Sequence, residues 1–191
     1  GLDGLAIVPV AIAAGCFAPY RAEVPHMLYS MAKTVTGIAV GIAADEGYLS
    51  LDERLIDIFP EYVNAAQAKI LRAHTVWHLL TMSTGCRFNE VGSALDQNWE
   101  RMFMESIPKF EAGSAFEYNS MNSYMLAAIL RRRTGVSLTD FLRPRLYEPL
   151  GIARYDWEKC PQGVEKGGWG LSLTLEDAAK LGQLYLNRGV W

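Results

Sequence analysis

The chain has 191 residues, half of them hydrophobic and a fifth charged, with a formal net charge of −3. That length supports one domain with a real core, and the slight acidity gives no electrostatic reason to expect a nucleic-acid partner. Three cysteines, Cys16, Cys86 and Cys160, stand far apart, with no Cys-x-x-Cys or Cys/His cluster among them. Neither a full disulfide framework nor a metal or other cofactor is therefore expected.

Leu5 to Cys16 is nearly all apolar, and its end, Ile12-Ala13-Ala14-Gly15-Cys16, loosely resembles a lipoprotein cleavage box. No basic stretch precedes it, Pro9 interrupts it, and a dozen residues cannot span a bilayer. Residues 5–18 read better as a buried strand pair, and no membrane span is expected. Met31 to Glu46 predicts a helix, with Val35, Ile38, Ala39, Ile42 and Ala43 on its apolar face and Gly47 as its stop. Leu49 to Glu61 reads as an acidic connection. Thr75 is placed as the cap of a helix through Trp77, Leu79, Leu80 and Met82 to Gly85.

Further on, Asn98 to Ser106 predicts an amphipathic helix stopped by Pro108, and Glu111-Ala112-Gly113-Ser114 a turn. Ser120 to Arg133 reads as a helix whose last residues, Arg131-Arg132-Arg133, favour the negative end of its dipole. Leu138 to Tyr147 reads as another. Thr174 and Asp177 together form the signature of a capping box opening the last helix. Helix dominates and strands are few, so a mostly helical α+β domain with a small sheet is the expected class.

Chemistry concentrates at Ser30-Met31-Ala32-Lys33. A spacing of three on a helix puts both side chains on one face, and a serine at a helix start meets exposed backbone N–H groups that favour developing negative charge. A serine hydroxyl is a poor nucleophile until a base takes its proton, and a desolvated lysine can be that base. The pair alone is a weak signal, because Ser106-Ile107-Pro108-Lys109 repeats it. Pro108 removes an N–H and breaks the helical turn there, which rejects the second pair. Tyr118-Asn119-Ser120, between the Gly113 turn and a long helix, offers a tyrosine whose hydroxyl ionises more easily beside a lysine. Tyr48, Tyr62 and Tyr185 read as surface or core tyrosines, with Tyr185 on an apolar helix face. His26, His74 and His78 have no triad or metal partner in sequence, and His78 reads as a packed or capping residue.

The stretch from His26 to Thr34 resembles the nucleophile segment of the beta-lactamase-related serine hydrolases, a superfamily that includes penicillin-binding proteins, AmpC-type beta-lactamases, D,D-peptidases and esterases. Asp45-Glu46-Gly47 with Leu51-Asp52, and Thr75 to Gly85, resemble the segments that follow it. Phe116 to Ser120, Thr134-Gly135, Glu148-Pro149-Leu150-Gly151-Ile152, and Gly167-Gly168 with Leu173 to Leu186 continue the likeness in order. The resemblance implies the beta-lactamase/transpeptidase-like α/β (α+β) fold and an acyl-enzyme mechanism. In it Ser30 is the nucleophile, Lys33 the proton acceptor and Tyr118 the acid that protonates the leaving group. It also implies an oxyanion hole fed by the Ser30 N–H and by a late strand.

Two departures stand out. Ser120 occupies the place of the asparagine in the family's Tyr-x-Asn motif, which puts its substrate-binding role in doubt, because a hydroxyl offers one donor against the amide's two. The third motif, a Lys or His before a small residue and Gly, is matched only in letters by Lys166-Gly167-Gly168, within the glycine turn. The resemblance thus implies a truncated domain over 1–191 that stops before the late strands, is inactive alone and is expected to self-associate. Its substrate would be a beta-lactam, a D-alanyl peptide or a carboxylic ester. A non-catalytic binding or sensor module of the same fold is the alternative.

Overall fold

The structure is a computed structural model that describes residues 4–7, 13–87 and 97–191, with backbone alone for residues 4–7 and 13–14. Pro9 and Ile12, singled out in the opening apolar run, lie outside the described residues. In chain order, β1 (Gly4–Ile7) pairs antiparallel with β2 (Ala13–Cys16), and β3 (His26–Met27) leads into α1 (Ala32–Asp45). Short helices α2 (Leu55–Ile58), α3 (Ala65–Ile70), α4 (Val76–Leu80) and α5 (Trp99–Met104) follow. Then come α6 (Ser120–Thr134), α7 (Leu138–Leu142), β4 (Tyr155–Trp157), β5 (Leu171–Leu173) and α8 (Leu175–Leu186).

The run Met121 to Leu130 decides the packing. Every residue from Ser120 to Leu130 is buried, as expected of a helix apolar nearly all round, so α1, α4, α5 and α7 pack around α6. Within the core, Thr84 Oγ1 donates to Asn122 Oδ1 at 2.9 Å, while the Asn122 Nδ2 is buried without a partner among the described residues. Gly135, in the left-handed region at φ 76, ends α6. The three arginines at that end reach other elements, Arg131 donating to the Gln162 carbonyl at 3.2 Å. Arg132 reaches Glu100 and Glu61 at 2.5 Å each and stacks on Phe59, and Arg133 pairs with Glu53.

The small sheet runs in the order β3-β5-β4, all antiparallel, with His26 opposite Leu173 and Trp157 opposite Leu171. This places the chain leaving β3 beside the glycine turn that precedes β5. Phe17 lies beyond the β1–β2 pair and is exposed.

Several expected elements change in detail. The acidic connection contains α2, and α3 follows it, capped by Asn64, whose Oδ1 accepts from the N–H groups of Ala66 and Gln67. Helix α4 stops at Leu80, five residues before Gly85. Thr81 Oγ1 bonds back to the Trp77 carbonyl, and Met82 turns to φ 53. The Leu138–Tyr147 helix becomes α7 followed by a wider π-type turn over Arg143–Tyr147, because Pro144 has no N–H to continue the α-helical ladder. On α1 the fully buried face is Ala32, Val35, Thr36, Ala39, Val40 and Ala43. Ile38 and Ile42 are only half-buried and face an apolar groove with Leu150, Leu184 and Tyr185. Tyr185 itself is exposed.

Thr174 caps α8 as expected, its Oγ1 accepting from the Asp177 N–H at 3.2 Å. His78 turns out to be a capping residue. Its Nδ1 accepts from the Thr75 N–H at 3.1 Å, so this ring is neutral with its proton on Nε2. Burial lowers the pKa of His78, and burial is also the main cause of the lowering at His74. Among the described residues, no helix is long and apolar enough to cross a membrane.

Candidate active site

The nucleophile candidate stands on a corner. Leu28 is still held to the sheet, its N–H on the Leu171 carbonyl at 2.8 Å. Tyr29 then takes φ 48, in the left-handed region, a conformation that costs a non-glycine residue about 1–2 kcal/mol. The chain passes through one 3₁₀ turn, Tyr29–Met31, and enters α1. Ser30 is thereby lifted into solvent at the helix N-terminus, with Lys33 one turn further along and half-buried. A strained corner held by sheet on one side and helix on the other is the kind of position where function retains a cost.

Tyr118 arrives from 88 residues away. The loop after α4 holds its segment: the Glu117 N–H bonds the Met82 carbonyl at 3.0 Å, and the Asn119 N–H meets Met82 Sδ at 3.3 Å. Asn119 also donates from Nδ2 to the Cys86 carbonyl and caps α6 through its Oδ1. Glu117 and Asn119 are thus held inward, while Phe116 and Tyr118 stand exposed.

The three groups meet. Ser30 Oγ lies 2.6 Å from Tyr118 Oη, and Lys33 Nζ donates to Ser30 Oγ at 3.1 Å. The same ammonium donates to Ser120 Oγ at 3.1 Å and to the Gly168 carbonyl at 2.7 Å, and it lies 4.7 Å from the centre of the Tyr118 ring. Three N–H donors find three acceptors, which satisfies a charged lysine completely. Desolvation is the largest single influence on Tyr118 and raises its pKa. The nearby Lys33 ammonium, the Ser30 hydroxyl and the Ser120 hydroxyl outweigh it together, so the phenol ends below the ordinary tyrosine range.

The competing pairs stay apart from this cluster. Lys109 pairs with Glu117, Lys166 pairs with Glu158 at 2.5 Å, Tyr62 accepts from Asn98, and Tyr48 packs edge-on against Phe141.

Two backbone groups are missing from any sequence-level list of the site. The Gly168 carbonyl holds Lys33, and the Gly167 carbonyl accepts from Thr36 Oγ1 at 2.7 Å. The glycine pair is the only outward sign of them. A Cβ at Gly167 would lie 2.4 Å from the Ser123 carbonyl oxygen, and one at Gly168 would lie 2.7 Å from the Ser120 carbonyl oxygen. The turn can therefore seat its carbonyls over α1 only because it has no side chains.

Gly167→Ala should be strongly destabilising, since Gly167 also has φ 64. A left-handed alanine costs about 1–2 kcal/mol and overpacking against fixed helix backbone about 1–3 more. At about 2–4 °C per kcal/mol for a chain of this size, the melting temperature should fall by roughly 5–15 °C. Gly41→Ala, in α1 with open space around the added methyl, is the control and should hold or raise it. Equal melting temperatures for the two variants would show that the turn is not seated tightly.

The beta-lactamase family model matches residues 10–189. Among curated relatives, the chain is 25% identical over 185 residues to a 6-aminohexanoate-dimer hydrolase of Paenarthrobacter ureafaciens, covering 86% of this chain and 46% of that protein. It is 27% identical to a beta-lactamase of Escherichia coli K12, covering 80% and 40%, and 28% identical to penicillin-binding protein 4 of Amycolatopsis lactamdurans, covering 64% and 33%. The chain thus spans less than half the length of these relatives. A solved structure from Bacillus anthracis, assigned provisionally as a 6-aminohexanoate-dimer hydrolase, superposes with a TM-score of 0.85 at 22% identity. It covers 98% of this chain and 54% of that one, a likeness of fold. With a family model matched along nearly its whole length and the same fold in a solved relative, the chain belongs to the beta-lactamase family.

Proposed function

We propose that the full-length protein is a serine hydrolase that forms an acyl-enzyme at Ser30, with Tyr118 handling the proton and Lys33, read from the sequence as the proton acceptor, holding the charge beside it. The observation that carries this reading is the contact of Ser30 Oγ with both Tyr118 Oη and Lys33 Nζ at a helix start. Lys33, with three acceptors around it, serves as a fixed positive charge that keeps Tyr118 easy to ionise, and Tyr118 receives the proton.

In the acylation step the Ser30 O–H bond breaks, its proton passes to Tyr118, and Ser30 Oγ bonds the substrate's acyl carbon. The resulting oxyanion is met by the Ser30 N–H at the helix terminus. The bond from acyl carbon to leaving group then breaks, and the leaving oxygen or nitrogen takes the proton back from Tyr118. Water reverses the sequence: Tyr118 takes its proton, the hydroxide adds to the acyl carbon, and Ser30 leaves reprotonated. The substrate is a carboxylic ester or an amide, with beta-lactams and D-alanyl peptides among the amides. Curated relatives are named as a 6-aminohexanoate-dimer hydrolase, a beta-lactamase and a methylbutanoyltransferase, which supports an acyl chemistry broader than lactams.

The test is covalent. A fluorophosphonate probe, or a penicillin, incubated with the full-length protein should leave one adduct, which peptide mass mapping assigns to Ser30. Absence of an adduct with both probes would instead favour a non-catalytic binding module of the same fold, and an adduct on Ser106 would refute the site.

A further inference from the structure

The segment that delivers Tyr118 carries a second exposed ring. The N–H groups of Glu117 and Asn119 both turn toward Met82, one onto its carbonyl at 3.0 Å and the other onto its Sδ at 3.3 Å. Exposure alternates along the same residues: Phe116 is 69% and Tyr118 54% exposed, while Glu117 and Asn119 are partly covered. Both alternations are those of an extended chain, in which side chains two residues apart share one face, about 6–7 Å from each other along the backbone. Phe116 therefore stands on the face that Tyr118 turns toward Ser30 Oγ. The inward neighbours are tied down, Glu117 by its pair with Lys109 and Asn119 by the Cys86 carbonyl and the cap of α6, so a fixed backbone holds the ring out. Left in water, it adds nothing to the burial that stabilises the domain.

The chemistry assigned to Tyr118 decides which part of a substrate meets this ring. When Tyr118 returns its proton, the leaving oxygen or nitrogen lies within hydrogen-bond reach of Oη. The group carried by that atom then extends along the outer face of the segment. In one direction the next residue of that face is Ser120, buried at the start of α6. In the other it is Phe116. Lys109 at this flank is engaged by Glu117, so an apolar face is offered there in place of a free cation.

We infer that Phe116 is a specificity-determining residue that packs on the leaving group of the substrate. The favoured substrates are esters and amides whose departing alcohol or amine carries an aromatic or extended alkyl group, ahead of those that release a small or anionic one. The inference rests on the acyl-enzyme reading above and narrows its substrate class.

The experiment compares the full-length parent with Phe116→Ala and Phe116→Tyr on 2-phenylethyl acetate and ethyl acetate. These esters form the same acetyl-enzyme and release alcohols of similar acidity, so the ratio of their kcat/KM values reports the leaving group alone. The parent should favour the 2-phenylethyl ester by roughly tenfold or more, and Phe116→Ala should bring the ratio to within about twofold of unity. Phe116→Tyr keeps the ring and should restore the preference. The ratio of ethyl butyrate to ethyl acetate, which varies the acyl side, should be the same in all three proteins. A merely structural effect, reaching the reaction through a slackened Tyr118, would slow both acetates alike and leave the leaving-group ratio at its parental value.

A parent that hydrolyses neither acetate or shows no preference between them would overturn the inference. So would a preference that survives in Phe116→Ala, or a change confined to the acyl-side ratio. Ser30→Ala separates the two readings. Turnover of either ester at the parental rate in that variant would remove the acyl-enzyme reading itself. An inactive Ser30→Ala beside a leaving-group ratio indifferent to Phe116 would sink this inference alone.

Discussion

Replacing Ser30 with alanine in the full-length protein is expected to abolish probe labelling and bring hydrolysis down to background, while Ser106→Ala labels like the parent. The contrast is informative because both serines precede a lysine by three residues, and composition gives no reason to prefer one. Backbone does. Ser30 is exposed on a corner made by Tyr29 at φ 48, with Tyr118 Oη 2.6 Å from its hydroxyl. Ser106 Oγ is buried, and the lysine that follows it pairs with Glu117. In serine hydrolases the loss of the nucleophile costs on the order of 10⁶ in kcat, far beyond what any packing change at an exposed serine would produce. Fluorescence of the labelled band and initial rates on a p-nitrophenyl ester are the two readouts. Labelling of Ser30→Ala at the parental rate would mean that the reactive group lies elsewhere.

How much of this site was legible before folding depends on how local each contact is. Ser30 and Lys33 share a helical turn, so their spacing alone put them together. Thr174 was legible in the same way, as a cap residue with a short-range partner in Asp177. Tyr118 meets Ser30 across 88 residues of sequence, and its place on a loop between the Gly113 turn and a long helix, together with the resemblance of its segment to a known motif, singled it out over Tyr48, Tyr62 and Tyr185. The carbonyls of Gly167 and Gly168 carry no side-chain signature at all. Their role shows only once the turn is seen seated on α1 and α6.

The fold behaves alike. A long run such as α1 has enough turns to show a period, and α6 is long and apolar enough to read as a buried helix. Helices of four to six residues, such as α2 and α3, are too short for either, and the end of α4 was set by a single residue, Met82, taking a left-handed conformation. Ile38 and Ile42 pack against the core from the expected face of α1 but stay half-buried, because apolarity marks a residue for burial without saying how fully its neighbours will cover it.

Lys33→Ala and Tyr118→Phe should each slow acylation by about 10²–10⁴, the usual contribution of a positioned acid or base, and the double variant should be little slower than the worse single one. The reason is that the two side chains act on one proton. Lys33 stands 4.7 Å from the centre of the Tyr118 ring and donates to the same Ser30 Oγ that Tyr118 contacts. Without Lys33, Tyr118 loses the neighbouring ammonium that lowers its pKa. The phenol then rises toward its ordinary value near 10, and at neutral pH it is almost wholly protonated and unable to receive the proton of Ser30.

Lys33→Ala should therefore recover part of its rate as pH is raised toward that value, whereas Tyr118→Phe, with no ionisable hydroxyl, should not. Groups that work as a unit are non-additive when removed together, so most of the second loss should vanish in the double variant. The measurement is the rate of fluorophosphonate labelling for the parent, the two single variants and the double variant, between pH 6 and 10. Losses that multiply in the double variant, together with a Lys33→Ala rate that does not rise with pH, would show two independent contributions and leave Tyr118 without the role assigned to it.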